Sequence, residues 1–205
     1  MEQAQPARSG LHKVAEADFP TRFGHFRIYA FDLRGPVKAE AVVLKMGDLK
    51  GAKPPLVRIH SQCLTGDVFH SLRCDCRAQL EIALEQIAAE KRGMIIYEHE
   101  EGRGIGLLNK LRAYELQDHG ADTVEANVML GFKPDHRNYA LPAQILLHFN
   151  VKSVRLLSNN PAKIAALEAA GITVAERVPC EVEPVVSSEL YLRTKKEKLG
   201  HLLEL

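Results

Sequence analysis

The hydrophobic period of this chain changes once, and the change limits the folds open to it. Up to residue 61 the apolar residues fall in short extended runs. "HKVAEADFPTRFGHFRIYAF" reads as two strands around Pro20 to Gly24, and "AEAVVLKMG" and "PPLVRIHS" add two more, with "RGPVKA" and "GAKPP" as turns. After the segment "CLTGDVFHSLRCDC" the period becomes helical. In "AQLEIALEQIAAEKRG", Leu80, Ala83, Leu84, Ile87 and Ala88 make the i, i+3, i+4, i+7, i+8 stripe of an amphipathic helix, which Gly93 stops in the C′ position. "MIIY" is a short buried strand. A second helix from near Ile105 carries Leu108, Leu111 and Tyr114 or Glu115 before Gly120. Residues 123–131 and 139–149 give further helical stretches. "SVRLLS", "PAKIAALEAAG" and "ITVAERVP" form strand, helix and strand, a βαβ pattern. "SSELYLRTKKEKLGHLL" is a terminal helix with Ser188 near its cap. The expected fold is mixed α/β: a β-rich N-terminal part with antiparallel strands, packed with an α/β C-terminal part on one core or two closely packed ones. Residues 1–10 are expected to be a disordered tail, and 11–205 a single domain.

Charge narrows the function classes. With 27 basic and 26 acidic residues the net charge is +1, which argues against a nucleic-acid binder or a polybasic membrane binder. No apolar run reaches the length of a membrane span, and "MEQAQPARSG" lacks the apolar region of a secretory signal. The expected compartment is a reducing cytoplasm, where clustered cysteines point to metal or catalysis.

Cys63, Cys74 and Cys76 are spaced C-x10-C-x-C. Zinc binds thiolates and usually takes four ligands. Two readings stand. A closed structural site takes Cys180 as fourth ligand, with His60 and His70 as other candidates. An open site leaves the fourth position to water. Cys74 and Cys76 sit at or just before a helix N-terminus, whose dipole favours thiolate. Cysteine-rich zinc sites in deaminases act on nucleobase rings, although the deaminase signature itself is absent.

Anion-binding features accompany the thiols. "EEGRGIGLLNK" sets Gly102, Gly104 and Gly106 between a strand and a helix, with Arg103 inside the turn. Backbone can approach a ligand there, and a guanidinium fork fits phosphate oxygens. In "SNNPAK" a strand ends at Ser158, Asn160 caps, Pro161 takes the first helical position and Lys163 lies in the first turn. "RIHS" places Arg58 or His60 close to Cys63, and "DHR" offers Asp135 and Arg137 on a loop. Taken singly, a glycine-rich packing turn, a solvated lysine and a surface ion pair explain these segments as well.

In order, the segments "RIHSQCLTGDVFHSLRCDC", "EEGRGIGLLNKLRAYELQDHGADTVEAN", "LGFKPDHRNY", "LLSNNPAKIAAL" and "GHLL" resemble the GTP cyclohydrolase II family, from about residue 12 to the C-terminus. The resemblance implies an enzyme of riboflavin biosynthesis. Such enzymes convert GTP to 2,5-diamino-6-ribosylamino-4(3H)-pyrimidinone 5′-phosphate, formate and pyrophosphate, use zinc and magnesium, and are typically homodimers. By matching position it implies that Cys63, Cys74 and Cys76 ligate zinc. Arg58, Ile59, His60, Ser61, Gln62, Gln79, Glu101, Gly102, Arg103, Thr123, Ser158 and Lys163 would contact GTP. Asp135 stands where the family has a proton acceptor and Arg137 where it has a nucleophile, with phosphate-charge stabilisation as the alternative role for Arg137. Tyr114 matches a tyrosine of the hydrolytic steps. Two other readings remain: a paralogue that stops at a formamidopyrimidine or takes another purine nucleotide, and a non-catalytic nucleotide-binding protein with a structural zinc.

The chain departs from the family in three places. Glu98, His99 and Glu100 replace Leu-Arg-Gln, Arg77 replaces a glycine as a possible compensating charge, and Ser158 replaces threonine. A charged His99 at the nucleotide predicts an apparent Michaelis constant that rises as pH is raised.

Overall fold

The computed structural model describes residues 10–34, 39–182 and 188–204. The expected tail, apart from Gly10, and the interior of the "RGPVKA" turn lie outside the described residues. The strands are β1 (Leu11–Thr21), β2 (Gly24–Leu33), β3 (Ala39–Met46), β4 (Leu56–Ser61), β5 (Gly93–Glu98), β6 (Ser153–Leu157) and β7 (Thr173–Val178). They form one sheet in the order β1-β2-β3-β5-β4-β6-β7. β1, β2, β3 and β5 pair antiparallel, whereas β5, β4, β6 and β7 pair parallel. β5 is the seam: Ile96 faces Val43 of β3 across one edge and Ile59 of β4 across the other. The β-rich and α/β parts are therefore halves of one continuous sheet.

The helices are α1 (Leu64–Asp67), α2 (Cys76–Glu90), α3 (Leu107–Asp118), α4 (Thr123–Met129), α5 (Ala140–His148), α6 (Pro161–Ala169) and α7 (Glu189–Leu199). Side chains alternate across a strand, so the sheet has two apolar faces. Val57, Ile59, Met94 and Ile96 pack with Leu141, Ile145 and Leu146 of α5 and Leu167 of α6. Leu56 and Ile95 pack with Ala83, Leu84 and Ile87 of α2, and with Phe26, Leu157 and Cys180. The helical stripe of α2 is thus buried as its period requires. Because α2 and α5 cover opposite faces, the carboxyl ends of β4, β5 and β6 open into a crevice, the usual ligand position in an α/β sheet.

Two expectations change. Gly93 does not end α2. Lys91 does so in the left-handed conformation (φ 53°), and Gly93 opens β5, where a Cβ would lie 2.6 Å from the Leu56 carbonyl oxygen. The apolar side of α3 is also not core. Leu108 and Leu111 are 75% and 45% exposed, and Ala113 is the helix's buried residue. The inward side of α3 carries Lys110, Ala113, Tyr114 and Gln117, which face the crevice. Apolar periodicity marks a face of α3, and here that face turns to solvent.

Candidate active site: a thiol cluster in a basic cavity

Cys63 ends the turn after β4, and Cys74 and Asp75 lead into α2, which starts at Cys76. One-turn helix α1 folds the intervening loop back, so the three sulfurs lie within 4.8 Å of one another, with Cys63 and Cys74 Sγ 3.7 Å apart. Gly66 makes the approach possible: a Cβ there would stand 2.9 Å from Cys74 Sγ and 3.1 Å from Cys63 Sγ. Cys180 lies elsewhere. It is buried against α2, with its thiol directed to the Gln79 carbonyl at 3.5 Å. His60 is bound to Asp67 (3.2 Å), and among the described residues no fourth His, Cys, Asp or Glu joins the cluster. The closed four-cysteine site is therefore not formed.

The donor set fits a metal ion. Hydrogen bonds from Cys74 and Cys76 drive the Cys63 thiol far below its ordinary value, with Lys110 adding to them against burial. The Cys63 thiolate pushes Cys74 up to about 11 and holds Cys76 well above its ordinary value. Three crowded sulfurs thus oppose one another's ionisation, and a bound cation is what would let all three be thiolates. Lys110 Nζ, 3.2 Å from Cys63 Sγ and 2.7 Å from Glu101 Oε1, supplies one neighbouring positive charge. Burial alone would lower Lys110, but Cys63 and Glu101 outweigh it and hold the ammonium above its ordinary value.

Asp67 braces the loop. Its carboxylate accepts from the Cys63 backbone N–H (3.0 Å), the Tyr97 hydroxyl (2.8 Å) and His60 Nε2. Glu101 does the same from the far side, accepting from the Leu64 N–H at 2.7 Å. Thr65 Oγ1 lies 3.2 Å from the Tyr114 hydroxyl.

The cluster forms one wall of a cavity of roughly 1060 Å³, open mouth included. Among the described residues, seven Lys and Arg line it (Arg58, Arg73, Arg103, Lys110, Arg137, Lys163 and Lys195) against two carboxylates, Glu100 and Glu101. In a chain of net charge +1 this concentration makes a polyanion site. Arg103 is the sharpest element. Its backbone is left-handed (φ 60°), as is that of Gly102 (φ 62°), and both its terminal nitrogens are buried without a partner among the described residues. Unpaired buried donors of this kind are costly and await a ligand. Lys163 is 4% exposed and donates to the Ile59 carbonyl at 2.6 Å. Burial, then Arg58 and Arg137, push its ammonium well below the ordinary value, while Glu98 opposes them.

Most of the residues singled out in the sequence converge here. Arg58, His60, Ser61, Gln62, Gln79, Glu101, Gly102, Arg103, Tyr114, Thr123, Arg137, Ser158 and Lys163 line the cavity with the three cysteines. Two do not. Ile59 points to the opposite face, into the α5–α6 core, and offers only its carbonyl to Lys163. Asp135 reaches the cavity through Arg137, whose Nε and Nη2 lie 3.0 Å and 2.5 Å from its two oxygens. Burial would lower Arg137, but this pair outweighs it and raises the guanidinium above its ordinary value. That favours charge stabilisation over nucleophilic attack, which needs a deprotonated nitrogen.

Residues at the departures behave differently from expectation. His99 is half-exposed, 3.6 Å from Glu40, and lines a separate cavity with Asp32 and Asn138. It therefore stands outside the lining of the basic cavity. Arg77 is engaged by the Asp67 carbonyl (2.7 Å) and Glu81 (2.9 Å). Glu98 is the buried member, with Oε2 unpartnered among the described residues. Burial pushes its carboxyl up to about 7, with Glu100 adding to the rise and Lys163 and Arg137 opposing it. A carboxyl raised on folding contributes stability that is full below its unfolded value near 4.5 and is lost as pH climbs through about 7. Glu98→Gln is therefore expected to match wild type near pH 5 and to exceed it at pH 8 by up to ~3 kcal/mol. Thermal unfolding at both pH values checks this; parallel curves for the two proteins would refute it.

Sequence reasoning missed Lys110, Asp67, Tyr191, Lys195 and His201. Lys110 had a signal, since it lies one helical turn before Tyr114 and faces the same way. The last three come from α7 and the segment after it, far away in sequence.

A family model described as GTP cyclohydrolase II matches residues 12–179. GTP cyclohydrolase-2 of Actinobacillus succinogenes is 54% identical over 193 residues, 94% of this chain and 88% of that protein. GTP cyclohydrolase-2 of Tolumonas auensis is 54% identical over 195 residues, 95% of this chain and 98% of that protein. Riboflavin biosynthesis protein RibBA of Bacillus subtilis is 53% identical over 194 residues, 94% of this chain but 48% of that protein, so the chain spans about half of it.

Proposed function

This chain belongs to the GTP cyclohydrolase II family, and from that premise we propose that it opens the imidazole ring of GTP. The products are 2,5-diamino-6-ribosylamino-4(3H)-pyrimidinone 5′-phosphate, formate and pyrophosphate, at the first step of riboflavin biosynthesis. One observation carries the reading: a three-thiol cluster and a buried guanidinium with two unpartnered nitrogens share one basic cavity. Polyanion recognition and hydrolytic metal chemistry are thereby joined.

Cys63, Cys74 and Cys76 hold zinc, with Asp67 and Glu101 fixing the loop that presents them. Bound there, zinc supplies Lewis-acid activation of hydrolysis. Arg103, Lys163 and Arg58 take the triphosphate, with magnesium as its counter-ion. Arg137, kept protonated by Asp135 and 3.3 Å from Ser61 Oγ, stabilises charge at the phosphorus. Gln79, Thr123 and Ser158 contact the nucleotide, and Tyr114 orders the reacting end through Thr65. Residues 11–205 act as a single domain in the cytoplasm. Among the described residues no helix is long and apolar enough to cross a membrane.

The active species is a homodimer. Val68, Phe69, Leu108, Leu111, Val128 and Met129, on α1's far end, α3 and α4, are all exposed, and apolar surface of this extent marks an interface. Light scattering is expected to give twice the chain mass, and Phe69→Glu with Leu108→Glu half of it. A monomeric wild type at micromolar concentration would refute the dimer.

The function is tested by incubating the zinc-loaded chain with GTP and magnesium and following formate, pyrophosphate and the pyrimidine together. All three are expected in equal amounts. Ring opening without formate would identify a paralogue that stops at the formamidopyrimidine, and GTP left intact would overturn the reading altogether.

A further inference from the structure

We propose that α7 is part of the nucleotide site, with Lys195 as a positioning residue that fixes the Gln79 amide and the Arg58 guanidinium through Asp75. The proposal rests on reading the cavity as a nucleotide site.

Lys195 is 8% exposed and donates from Nζ to Asp75 Oδ1 at 2.6 Å. Asp75 is the residue between Cys74 and Cys76 and is itself buried. Its other oxygen, Oδ2, accepts from Gln79 Nε2 at 2.5 Å. Gln79 Oε1 then accepts from Arg58 Nη2 at 2.6 Å, and Arg58 Nη1 donates to the Leu157 carbonyl at 3.0 Å.

The chain of contacts has only one sense. An ionised carboxylate accepts and cannot donate, so Gln79 must turn Nε2 to Asp75 and Oε1 to Arg58. A flipped amide would set two acceptors together at one end and two donors at the other. Lys195 fixes the carboxylate in place, so that Oδ2 stays turned to the Gln79 amide. Without that contact the Asp75 side chain is free to swing toward Arg58, and the amide loses the acceptor that sets its sense. Arg58 and Gln79 both line the cavity, so the error would be passed to the ligand.

α7 has two further holds on the same cavity. The Tyr191 ring lies 6.0 Å from the Arg103 guanidinium and 4.4 Å from Lys195 Nζ. Lys198 pairs with Asp122 and Glu125 at the start of α4, whose first residue, Thr123, lines the cavity. The helix thus spans from the thiol loop to α4.

The test uses the full zinc-loaded chain as wild type, Lys195→Met, Lys195→Arg, Gln79→Ala and the Lys195→Met/Gln79→Ala double variant. Lys195→Met is expected to raise the Michaelis constant for GTP about ten- to a hundred-fold. Its kcat should fall by less, with zinc content unchanged, and Lys195→Arg should recover most of the loss. The double variant should be no worse than Gln79→Ala alone, because both changes break one relay. A Lys195→Met enzyme with wild-type KM, or losses that multiply in the double variant, would overturn the proposal. Should the methionine variant fail to fold, Lys195→Gln puts the same question. Should wild type bind a non-hydrolysable GTP analogue yet leave GTP intact, the proposed function falls, and the same cycle read as analogue affinities decides the role of Lys195.

Discussion

Replacing Cys74 by serine is expected to abolish formate release, by at least about a hundred-fold, while the sheet stays folded. The magnitude takes as its floor the loss seen when a residue that merely supports a metal ligand is changed; a ligand itself costs more. The fold is expected to survive because Cys74 is partly exposed and belongs to neither apolar face of the sheet. Serine also adds no bulk beside Gly66, where space is tightest. Zinc stoichiometry, formate release and circular dichroism on the same sample check the three parts. Formate released at the wild-type rate would refute catalysis by this cluster. Cys180→Ser makes the control: its thiol meets Gln79 and not the other sulfurs, so zinc content should be unchanged.

Arg103→Met should give the second large effect, a rise of about thirty-fold or more in the Michaelis constant for GTP. Truncating one partner of a buried charge pair costs about 2–5 kcal/mol, and Arg103 brings two buried nitrogens that have no partner among the described residues. Methionine keeps an apolar stem beside Tyr191 and removes the fork. Arg103→Lys keeps the charge without the fork and should fall between the two. The left-handed backbone at residue 103 (φ 60°) is a strain held in place by the surrounding turn, as functional sites often show. Inhibition by inorganic triphosphate should weaken in parallel with GTP. An unchanged inhibition constant would mean that Arg103 does not meet the phosphates.

Much of this site could be read in the sequence, for local reasons. The side-chain cap at Asn160 and the start of α7 after Ser188 follow from residue type and position. The thiol spacing points to metal, and the strand ends put "RIHS" and "SNNPAK" at one edge of the sheet. Where reading failed, the missing fact was direction. Periodicity shows that α3 is amphipathic, but cannot say that its polar side faces the cavity and Leu108 the solvent. At the end of β5, alternation sends Glu98 inward and His99 outward, so the titratable group that matters is the carboxyl and not the imidazole. The third failure is range. Lys195 meets Asp75 across 120 residues and Lys110 meets Cys63 across 47, and no window of sequence contains both members of either pair.

The burial of Lys163 has a consequence in proton traffic. Its ammonium is disfavoured by burial and by Arg58 and Arg137, against which Glu98 alone is too little, and a polyanion arriving beside it reverses that balance. Loading the cavity should therefore draw a proton from the buffer. The heat of nucleotide binding should then change with the ionisation enthalpy of the buffer, and affinity should climb as the medium becomes more acidic within the range where Lys163 titrates. The lysine acts as a proton counter: how much of the bound charge the protein neutralises by itself, and how much it borrows from solvent, becomes a measurable number.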